Sequence, residues 1–302
     1  MRDSLFRKDG TAQGVAKQRL IETLASSDER IINDPFAYRF VLGAGLVKLM
    51  GHKLNVWLAQ KIVPGLHEHI IARTRFIDDL IMNSAASGLE QYVILGAGYD
   101  CRAHRLKLPC SLRIFEVDQS EVQARKLSKL PKESPNSENI TYVAVDFAHR
   151  SLTELLMDAG FDQSRSTVFT LEGVSQYITK EDFASTITEL ATLTQKTCST
   201  IFVSYVSEHL NKNPKACFGR DYPSAQKRFD LIKYGSAKVG EPWISFYDDE
   251  EIKKLLSKNG YSIKENVTLE DLNHRYFSPV QRTLSENQLL NLEQFVIAKS
   301  QN

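Results

Sequence analysis

The stretch YVILGAGYDCRAHRL, residues 92–106, decides the fold of this chain. Four apolar or aromatic residues run from Tyr92 to Leu95 into Gly96-Ala97-Gly98, after which the sequence turns polar and predicts a helix. A buried strand that ends in a glycine turn before a helix is how α/β proteins commonly present a nucleotide-like ligand. The stretch therefore predicts an α/β protein with a ligand site at the end of this strand.

From residue 91 onward, short apolar segments alternate with helical ones. Segments 119–130, 151–159 and 180–194 show helical patterns and fit as crossovers between parallel strands. The near-continuous β-branched and aromatic content of the apolar segments favours a sheet that is covered on both faces. We therefore predict a doubly wound, mostly parallel, seven-stranded, Rossmann-like sheet. Its predicted strands are 92–95, 112–117, 140–145, 167–171, 200–206, 261–267 and 293–300.

Two regions have patterns of their own. Residues 11–88 carry apolar side chains at helical spacing, so we predict that residues 1–88 form a helical N-terminal cap. Residues 89–302 are then the ligand-binding domain. Within it, residues 207–247 hold three prolines and several aromatic residues, which predicts an irregular C-terminal insertion above the strand ends, covering the substrate.

Composition excludes several classes of protein. The 38 basic and 37 acidic side chains nearly cancel, so no global charge favours nucleic acid or an anionic membrane. No apolar run approaches the roughly 20 residues of a membrane helix, and MRDSLFRKDG lacks the apolar core of a signal peptide. The four cysteines have no CxxC spacing, which predicts reduced thiols. We therefore predict a cytoplasmic protein without nucleic-acid or membrane partners.

The glycine turn and the next strand offer the first ligand groups. Gly96 and Gly98 let a ligand approach the main chain, but Cys101 stands where a dinucleotide fingerprint has its third glycine. Glu116 and Asp118 lie at the end of the second strand, where an acid typically accepts hydrogen bonds from ribose hydroxyls. We favour Asp118, which is nearer the strand end, and leave Glu116 as either a ligand group or an ion-paired carboxylate.

The third and fourth strands end in further candidates. Asp146 could bond an exocyclic amine and Phe147 could lie near an aromatic base, although Asp146 could also cap a helix, as could Ser151. Glu172 ends a buried strand in an apolar setting, where a charged group is rarely left without a partner. These residues are candidates for the same site.

Six blocks of this sequence resemble the leucine carboxyl methyltransferase family in their order and rough spacing, from Thr11 to about Ser300. That family includes many bacterial enzymes of polyketide and natural-product O-methylation. The resemblance implies a class I methyltransferase sheet, a helical N-terminal cap and S-adenosylmethionine as the cofactor. The blocks are IIARTRFIDDL (70–80), YVILGAGYDCRAHRL (92–106), FEVDQSEV (115–122), AVDF (144–147), TLEGVSQYIT (170–179) and GEPWISFYDDEEIKKLL (240–256).

The resemblance also implies residue roles. Arg73 would pair with the methionine carboxylate, although its own pattern equally fits the polar face of a helix. Gly96 and Gly98 would line the methionine and the ribose. Asp118 would hold the ribose hydroxyls.

The remaining implied roles concern the base and the amino group. Asp146 and Phe147 would sit at the adenine, and Glu172 near the methionine amino group. Two positions depart from the family pattern: Cys101 stands where threonine is common, and Arg19-Leu20 where the family has Arg-Ala. The second departure leaves open whether the first helix closes over the cofactor in the family manner.

The acceptor is the least determined part of the prediction. Methyl transfer to oxygen needs alignment and exclusion of water, and an ionised carboxylate acceptor needs no base, whereas a hydroxyl benefits from one. No histidine stands out as that base. His67 and His69 lie two apart on a predicted helix and face different ways, so we predict no metal site.

We therefore predict an S-adenosylmethionine-dependent O-methyltransferase that acts on a carboxylate or hydroxyl oxygen of a small molecule. Three alternatives remain open: a protein C-terminal carboxyl methyltransferase, an NAD-dependent oxidoreductase, and a binding protein without catalysis. Cys101 argues against the oxidoreductase. The oligomeric state is left open.

Overall fold

The computed structural model describes residues 10–131, 133–145, 150–217 and 224–301. These residues divide into two compact units. The first unit comprises Met1–Phe76, Val206–Trp243 and Val267–Gln294, and the second comprises Ile77–Tyr205, Ile244–Asn266 and Phe295–Asn302. That residues 1–88 act as a cap, and that residues 207–247 cover the substrate, both stay predictions.

Seven strands form a single sheet in the order β3-β2-β1-β4-β5-β7-β6. The four neighbouring pairs β3–β2, β2–β1, β1–β4 and β4–β5 are all parallel. The predicted mostly parallel seven-stranded sheet is therefore confirmed, with strand ends within two residues of those expected. The strands are β1 (Gln91–Leu95), β2 (Arg113–Gln119), β3 (Ile140–Val145), β4 (Thr167–Leu171), β5 (Ser199–Val206), β6 (Tyr261–Val267) and β7 (Glu293–Ser300).

Eleven α-helices lie within the described residues. They are α1 (Gly10–Thr23), α2 (Ala44–Ile62), α3 (Leu66–Ala86), α4 (Arg102–Arg105), α5 (Ser120–Lys129), α6 (Leu152–Asp158), α7 (Lys180–Leu193), α8 (Glu208–Lys212), α9 (Ala225–Lys238), α10 (Asp249–Lys258) and α11 (Leu269–Leu272). Shorter 3₁₀ and π turns connect them.

The strand order explains why the sheet is doubly wound. The chain starts at the centre with β1, moves outward to β2 and β3, and then returns to the other side of β1 with β4 and β5. Because crossovers between parallel strands are right-handed, this reversal places the two sets of helices on opposite faces. A ligand crevice is expected where the order reverses, between the carboxyl ends of β1 and β4.

The core of the second unit explains the apolar runs. Val93, Phe115, Phe169 and Ile201 come from four neighbouring strands and are fully buried in one cluster. Phe183 and other residues of α7 pack into the same cluster. Burial on both faces is why these strands lack an alternating polar pattern.

Capping residues set several helix starts. The hydroxyl of Ser151 accepts a hydrogen bond from the N–H of Glu154, and the side chain of Glu154 accepts one from the N–H of Ser151, so the two form a capping box at the start of α6. Asp248 and Glu251 form the same arrangement at the start of α10. Such caps satisfy backbone N–H groups that a helix leaves without partners.

In the first unit, a small apolar cluster joins α1 to the segments that follow it. Leu20, Ile21, Ala37 and Val47 are buried together there. The helix α2 has a kink at Gly51, whose φ of 69° and ψ of 179° are not helical. Within the predicted helical region 11–88, α2 is thus two helical pieces joined at a glycine.

The sequence missed α9. Its stretch lies between prolines, and only Ala225, Phe229 and Ser236 of its side chains are buried, so no clear apolar stripe marks it. Their spacing of four and seven residues is nevertheless helical, and this was the signal available.

Among the described residues, no helix combines the length and the apolar character that a bilayer span requires. None of the four cysteines is in a disulfide. The cytoplasmic location stays a prediction.

Candidate active site

The glycine turn after β1 is shaped by two residues with positive φ. Gly96 has φ of 66° and Gly98 has φ of 45°, a region that side chains with a Cβ rarely adopt. The N–H of Gly96 donates to the carbonyl of Val117 at 2.9 Å, which holds the turn against the end of β2. A Cβ at Gly96 would lie 2.7 Å from Cγ2 of Val174. The turn therefore depends on glycine for both conformation and space.

Asp118 meets this turn directly. Its Oδ2 accepts the backbone N–H of Gly98 at 2.5 Å, and its Oδ1 accepts the N–H of Gln119 at 2.7 Å. Each carboxylate oxygen can accept more than one hydrogen bond, so both keep capacity for a ligand hydroxyl. Burial raises the pKa of Asp118 above its ordinary value, and the two backbone hydrogen bonds only partly oppose this. The carboxylate is partly exposed and oriented by the turn.

Glu116 has the ion-paired role that the sequence left open. Its side chain is fully buried, and Oε2 accepts a hydrogen bond from Nζ of Lys126 on α5 at 2.6 Å. Burial raises the pKa of Glu116 above its ordinary value, although the positive charge of Lys126 acts to lower it. This pair fixes α5 against β2, while Asp118, two residues on, lies at the strand end.

A third group of charges surrounds Arg102, at the start of α4. Its guanidinium is 2% exposed. It donates to Oδ1 of Asp78 at 2.9 Å, to Oε2 of Glu172 at 2.6 Å, and to Asp100. Glu172 follows β4 and Asp100 follows the glycine turn, so Arg102 connects the loops at the carboxyl ends of β1 and β4.

A second guanidinium group joins this cluster. Arg105 also donates to Asp78, at 2.7 Å, so three carboxylates share two guanidinium groups. Burial alone would lower the pKa of Arg102, but Asp100, Glu172 and Asp78 raise it well above its ordinary value. Asp118 follows on the neighbouring strand β2, where burial raises its pKa and the positive charges of Lys126 and Arg125 act to lower it.

Arg73 lies on α3 in the first unit. It is 6% exposed and pairs with Oε2 of Glu293, which also lies 2.9 Å from Nε2 of His69. Its contact with a methionine carboxylate stays a prediction. In contrast, His67 faces Gln18 and Glu22, so the two histidines of the H-x-H sequence meet different partners, as their spacing on a helix implies.

The adenine candidates Asp146 and Phe147, and the histidines that do not stand out as a base, divide among buried, exposed and undescribed positions. Asp146, Phe147 and His149 lie outside the described residues. His104 is buried, with Nδ1 2.9 Å from Oγ of Ser134 and Nε2 3.2 Å from the hydroxyl of Tyr142. His209 and His274 are exposed.

From the sequence, a set of aromatic residues in and beside the predicted insertion could either wall the acceptor or form core. They are Tyr205, Phe218, Tyr222, Trp243, Phe246 and Tyr247. Tyr205 and Tyr247 belong to the core of the second unit, with ring centroids 6.3 Å apart. Tyr205 also donates its hydroxyl to Oδ1 of Asp249 at 2.9 Å. Of the same set, Phe218 and Tyr222 lie outside the described residues.

The sequence missed Arg102, Asp100 and Asp78 as members of this constellation. Arg102 follows the glycine turn by four residues, and the only available signal was the Asp-x-Arg pattern at 100–102. Asp78 is distant in the chain and reaches Arg102 only through folding. Glu172, a ligand candidate from the sequence, accepts a hydrogen bond from Arg102, and its contact with a methionine amino group stays a prediction.

Comparisons with known proteins bear on the family and the fold of this chain. Residues 12–191 match the family described as leucine carboxyl methyltransferase. A protein of Bacillus subtilis (strain 168), named "Putative S-adenosyl-L-methionine-dependent methyltransferase YktD", is 31% identical over 85% of this chain and 75% of its own length. A similarly named protein of Mycobacterium tuberculosis (strain ATCC 25618 / H37Rv), Rv1729c, is 27% identical over 80% of this chain and 82% of its own length.

The fold has solved counterparts. A crystal structure of a DUF574 family protein from Streptomyces avermitilis superposes with a TM-score of 0.56, at 13% identity, over 94% of this chain and 96% of the other. That identity supports the fold alone. The family match covers more than half of the chain, and the resemblance inferred from six sequence blocks is confirmed: this chain belongs to the leucine carboxyl methyltransferase family.

Proposed function

We propose that this chain is an O-methyltransferase that transfers a methyl group from S-adenosylmethionine to a carboxylate or hydroxyl oxygen of a small molecule. Family membership makes the chain a methyltransferase that uses this donor. The observation that carries the proposal at residue level is the hydrogen bond between Gly98 and Asp118, which orients a carboxylate beside a glycine turn at the point where the sheet reverses direction.

In this proposal the described residues fit the donor by shape and by hydrogen bonding. The positive φ angles of Gly96 and Gly98 form a tight turn at which the donor would approach the main chain. Asp118 accepts hydrogen bonds from the ribose hydroxyls with the lone pairs that its backbone partners leave. Glu172 faces the amino group, and Arg73 pairs with the donor's carboxylate.

The charge at this edge supports the choice of donor. S-adenosylmethionine carries a sulfonium cation and an ammonium group. Asp78, Asp100 and Glu172 bring three carboxylates together in this group, and carboxylates attract both of those cationic groups. Two further members of the proposed site, Asp146 and Phe147, would contact the adenine.

When bound, the donor supplies an electrophilic methyl group: its carbon–sulfur bond breaks as a carbon–oxygen bond to the acceptor forms. The protein's part is to align donor and acceptor and to exclude water. A carboxylate acceptor attacks as it is, whereas a hydroxyl must lose its proton during transfer. Both acceptor types remain part of the proposal.

The first experiment is calorimetric titration of the whole chain with S-adenosylhomocysteine, with NADH in a parallel cell. We expect S-adenosylhomocysteine to bind with a micromolar dissociation constant and NADH not to bind. Binding of NADH alone would contradict the assignment of the glycine turn to a methyl donor.

The acceptor class can be determined with donor labelled in its methyl group. The labelled products of a screen of small carboxylic acids and phenols are treated with alkali, which releases methanol from a methyl ester but leaves a methyl ether intact. Label on a small molecule in either form supports the proposal. Label only on peptides with a C-terminal carboxylate would instead favour a protein carboxyl methyltransferase.

A further inference from the structure

Three ligand-type side chains from three helices converge in the first unit. Glu22 of α1, His52 of α2 and His67 of α3 place one carboxylate oxygen and two imidazole nitrogens within 4.8 Å of one another. Oε2 of Glu22 lies 3.2 Å from Nε2 of His67 and 3.6 Å from Nε2 of His52. Glu22 and His67 have fully buried side chains, and that of His52 is 12% exposed.

These separations resemble those of a metal site. A tetrahedral Zn²⁺ ion with bonds of about 2.0–2.1 Å holds its nitrogen and oxygen ligands roughly 3.3 Å apart. Two imidazoles and one carboxylate are a common ligand set for such an ion, with the fourth position left for water or another small donor. The three side chains could therefore bind an ion without moving far.

Surrounding residues orient two of the three ligands. Nδ1 of His67 lies 3.0 Å from Oε1 of Gln18, and donation from Nδ1 leaves the lone pair of Nε2 toward the centre of the cluster. The other oxygen of Glu22 accepts Nη1 of Arg282 at 2.7 Å and the N–H of Ile31 at 2.8 Å. Glu22 is thus anchored by one oxygen and presents the other.

His52 lies within ion-pair distance of Glu22 but is not hydrogen-bonded to it. Its buried Nε2 has no hydrogen-bond partner among the described residues, since 3.6 Å to Glu22 is beyond hydrogen-bond distance. It directly follows the kink at Gly51, and the side chain of Asn55 donates to the carbonyls of Val47 and Gly51 at 2.8 Å and 2.6 Å. A bound cation would satisfy this nitrogen.

We propose that Glu22, His52 and His67 form a binding site for a divalent transition-metal ion of the Zn²⁺ type. The ion joins α1, α2 and α3 of the first unit by coordinating one side chain from each. The site shares no residue with the proposed site of the methyl donor, and this inference is independent of the proposed function.

The test uses the whole chain, treated with a chelator and dialysed, and titrated calorimetrically with Zn²⁺ in the absence of methyl donor and acceptor. We expect one ion to bind per chain and His52→Ala to weaken binding at least tenfold. The matched controls His209→Ala and His274→Ala remove exposed imidazoles and leave the affinity unchanged. Binding by His52→Ala equal to that of the wild type would overturn the proposal, as would an equal loss in both controls.

A second measurement separates loss of the ligand from loss of the fold. Because Nε2 of His52 makes no hydrogen bond among the described residues, we expect chelator-treated His52→Ala to melt close to the chelator-treated wild type. Zn²⁺ then raises the melting temperature of the wild type but not that of the variant. Co²⁺, whose visible absorption reports its coordination, should give a spectrum that His67→Gln abolishes. A Co²⁺ spectrum unchanged in His67→Gln would also overturn the proposal.

Discussion

Arg102 and Glu172 are joined by a hydrogen bond of 2.6 Å between Nη1 and Oε2, although they lie 70 positions apart in the chain. The bond connects the start of α4, just after the glycine turn, to the residue that follows β4. Because Arg102 also holds Asp78 and Asp100, one buried cation organises the loops at the reversal point of the sheet.

Replacing Arg102 with an uncharged residue should destabilise the fold. We expect Arg102→Met to lower the free energy of unfolding by about 3–5 kcal/mol, since buried carboxylates are left without their partner. The matched control is Arg150→Met, which removes an exposed partner of Asp158 and should cost about 1 kcal/mol or less. Urea unfolding followed by circular dichroism measures both. Equal losses of unfolding free energy in the two variants would show that Arg102 stabilises the fold no more than an exposed ion pair does.

Asp118→Asn tests the ribose contact while keeping the shape of the side chain. We expect S-adenosylhomocysteine to bind about 1–3 kcal/mol more weakly, or roughly 5–150-fold, because a charged acceptor is lost. Calorimetric titration gives the affinity, and Asp158→Asn on the exposed surface serves as the control. An unchanged dissociation constant would remove Asp118 from the site.

The pKa of Asp118 predicts a pH dependence of the same binding. Burial raises this pKa above the ordinary aspartate value, and the ribose hydroxyls need the ionised form as acceptor. Affinity for S-adenosylhomocysteine should therefore be constant at neutral pH and decline as the pH falls through the raised pKa. Asp118→Asn should show no such decline over the range in which the fold persists. A decline of the same size in the variant would assign the effect to another group.

Gly96→Ala tests the close approach at the turn. Both Gly96→Ala and its control Gly88→Ala place a Cβ at positive φ, which costs about 1–2 kcal/mol in each. Only at Gly96 does the added atom meet a neighbour, Val174, at 2.7 Å, while the space at Gly88 is open. We expect the larger loss of stability, and weaker binding of S-adenosylhomocysteine, in Gly96→Ala alone. Thermal melting and titration of the two variants distinguish the effects.

The thiols should divide into two classes by reactivity. Cys110 and Cys198 are exposed, whereas Cys101 and Cys217 are buried. Burial raises the pKa of Cys217 to about 11, so its reactive thiolate is scarce at pH 8. Alkylation of the native protein, followed by mass spectrometry, should label the first two quickly and the others only after unfolding. Labelling of Cys217 as fast as Cys110 would contradict its burial.

The sheet could be predicted from the sequence because its signal is local. Residues such as Val93 and Phe169 stand in short apolar runs that only a strand buried on both faces explains, and glycine or capping residues bound those runs. The helix α9 escaped prediction because few of its side chains are buried, so its periodicity is weak. A local pattern identifies a helix or strand only when enough of its side chains are buried to give a regular apolar spacing.

The candidate site was predictable in part. Gly96, Gly98 and Asp118 follow strand ends in a recognisable order, and the structure joins two of them by a hydrogen bond. Glu116 lies only two residues from Asp118, and the sequence could not say which acid was paired. Lys126 decided this by binding Glu116 across ten residues of chain.

By itself, then, the sequence determined the strands, the glycine turn and the family, because each depends on contiguous or regularly spaced residues. Only the tertiary structure decided which charges meet. Arg102 with Asp78, and Glu22 with His52 and His67, are separated by 24 to 45 positions. A buried charge is stable only beside its partner, and such partners are brought together by packing rather than by their spacing along the chain.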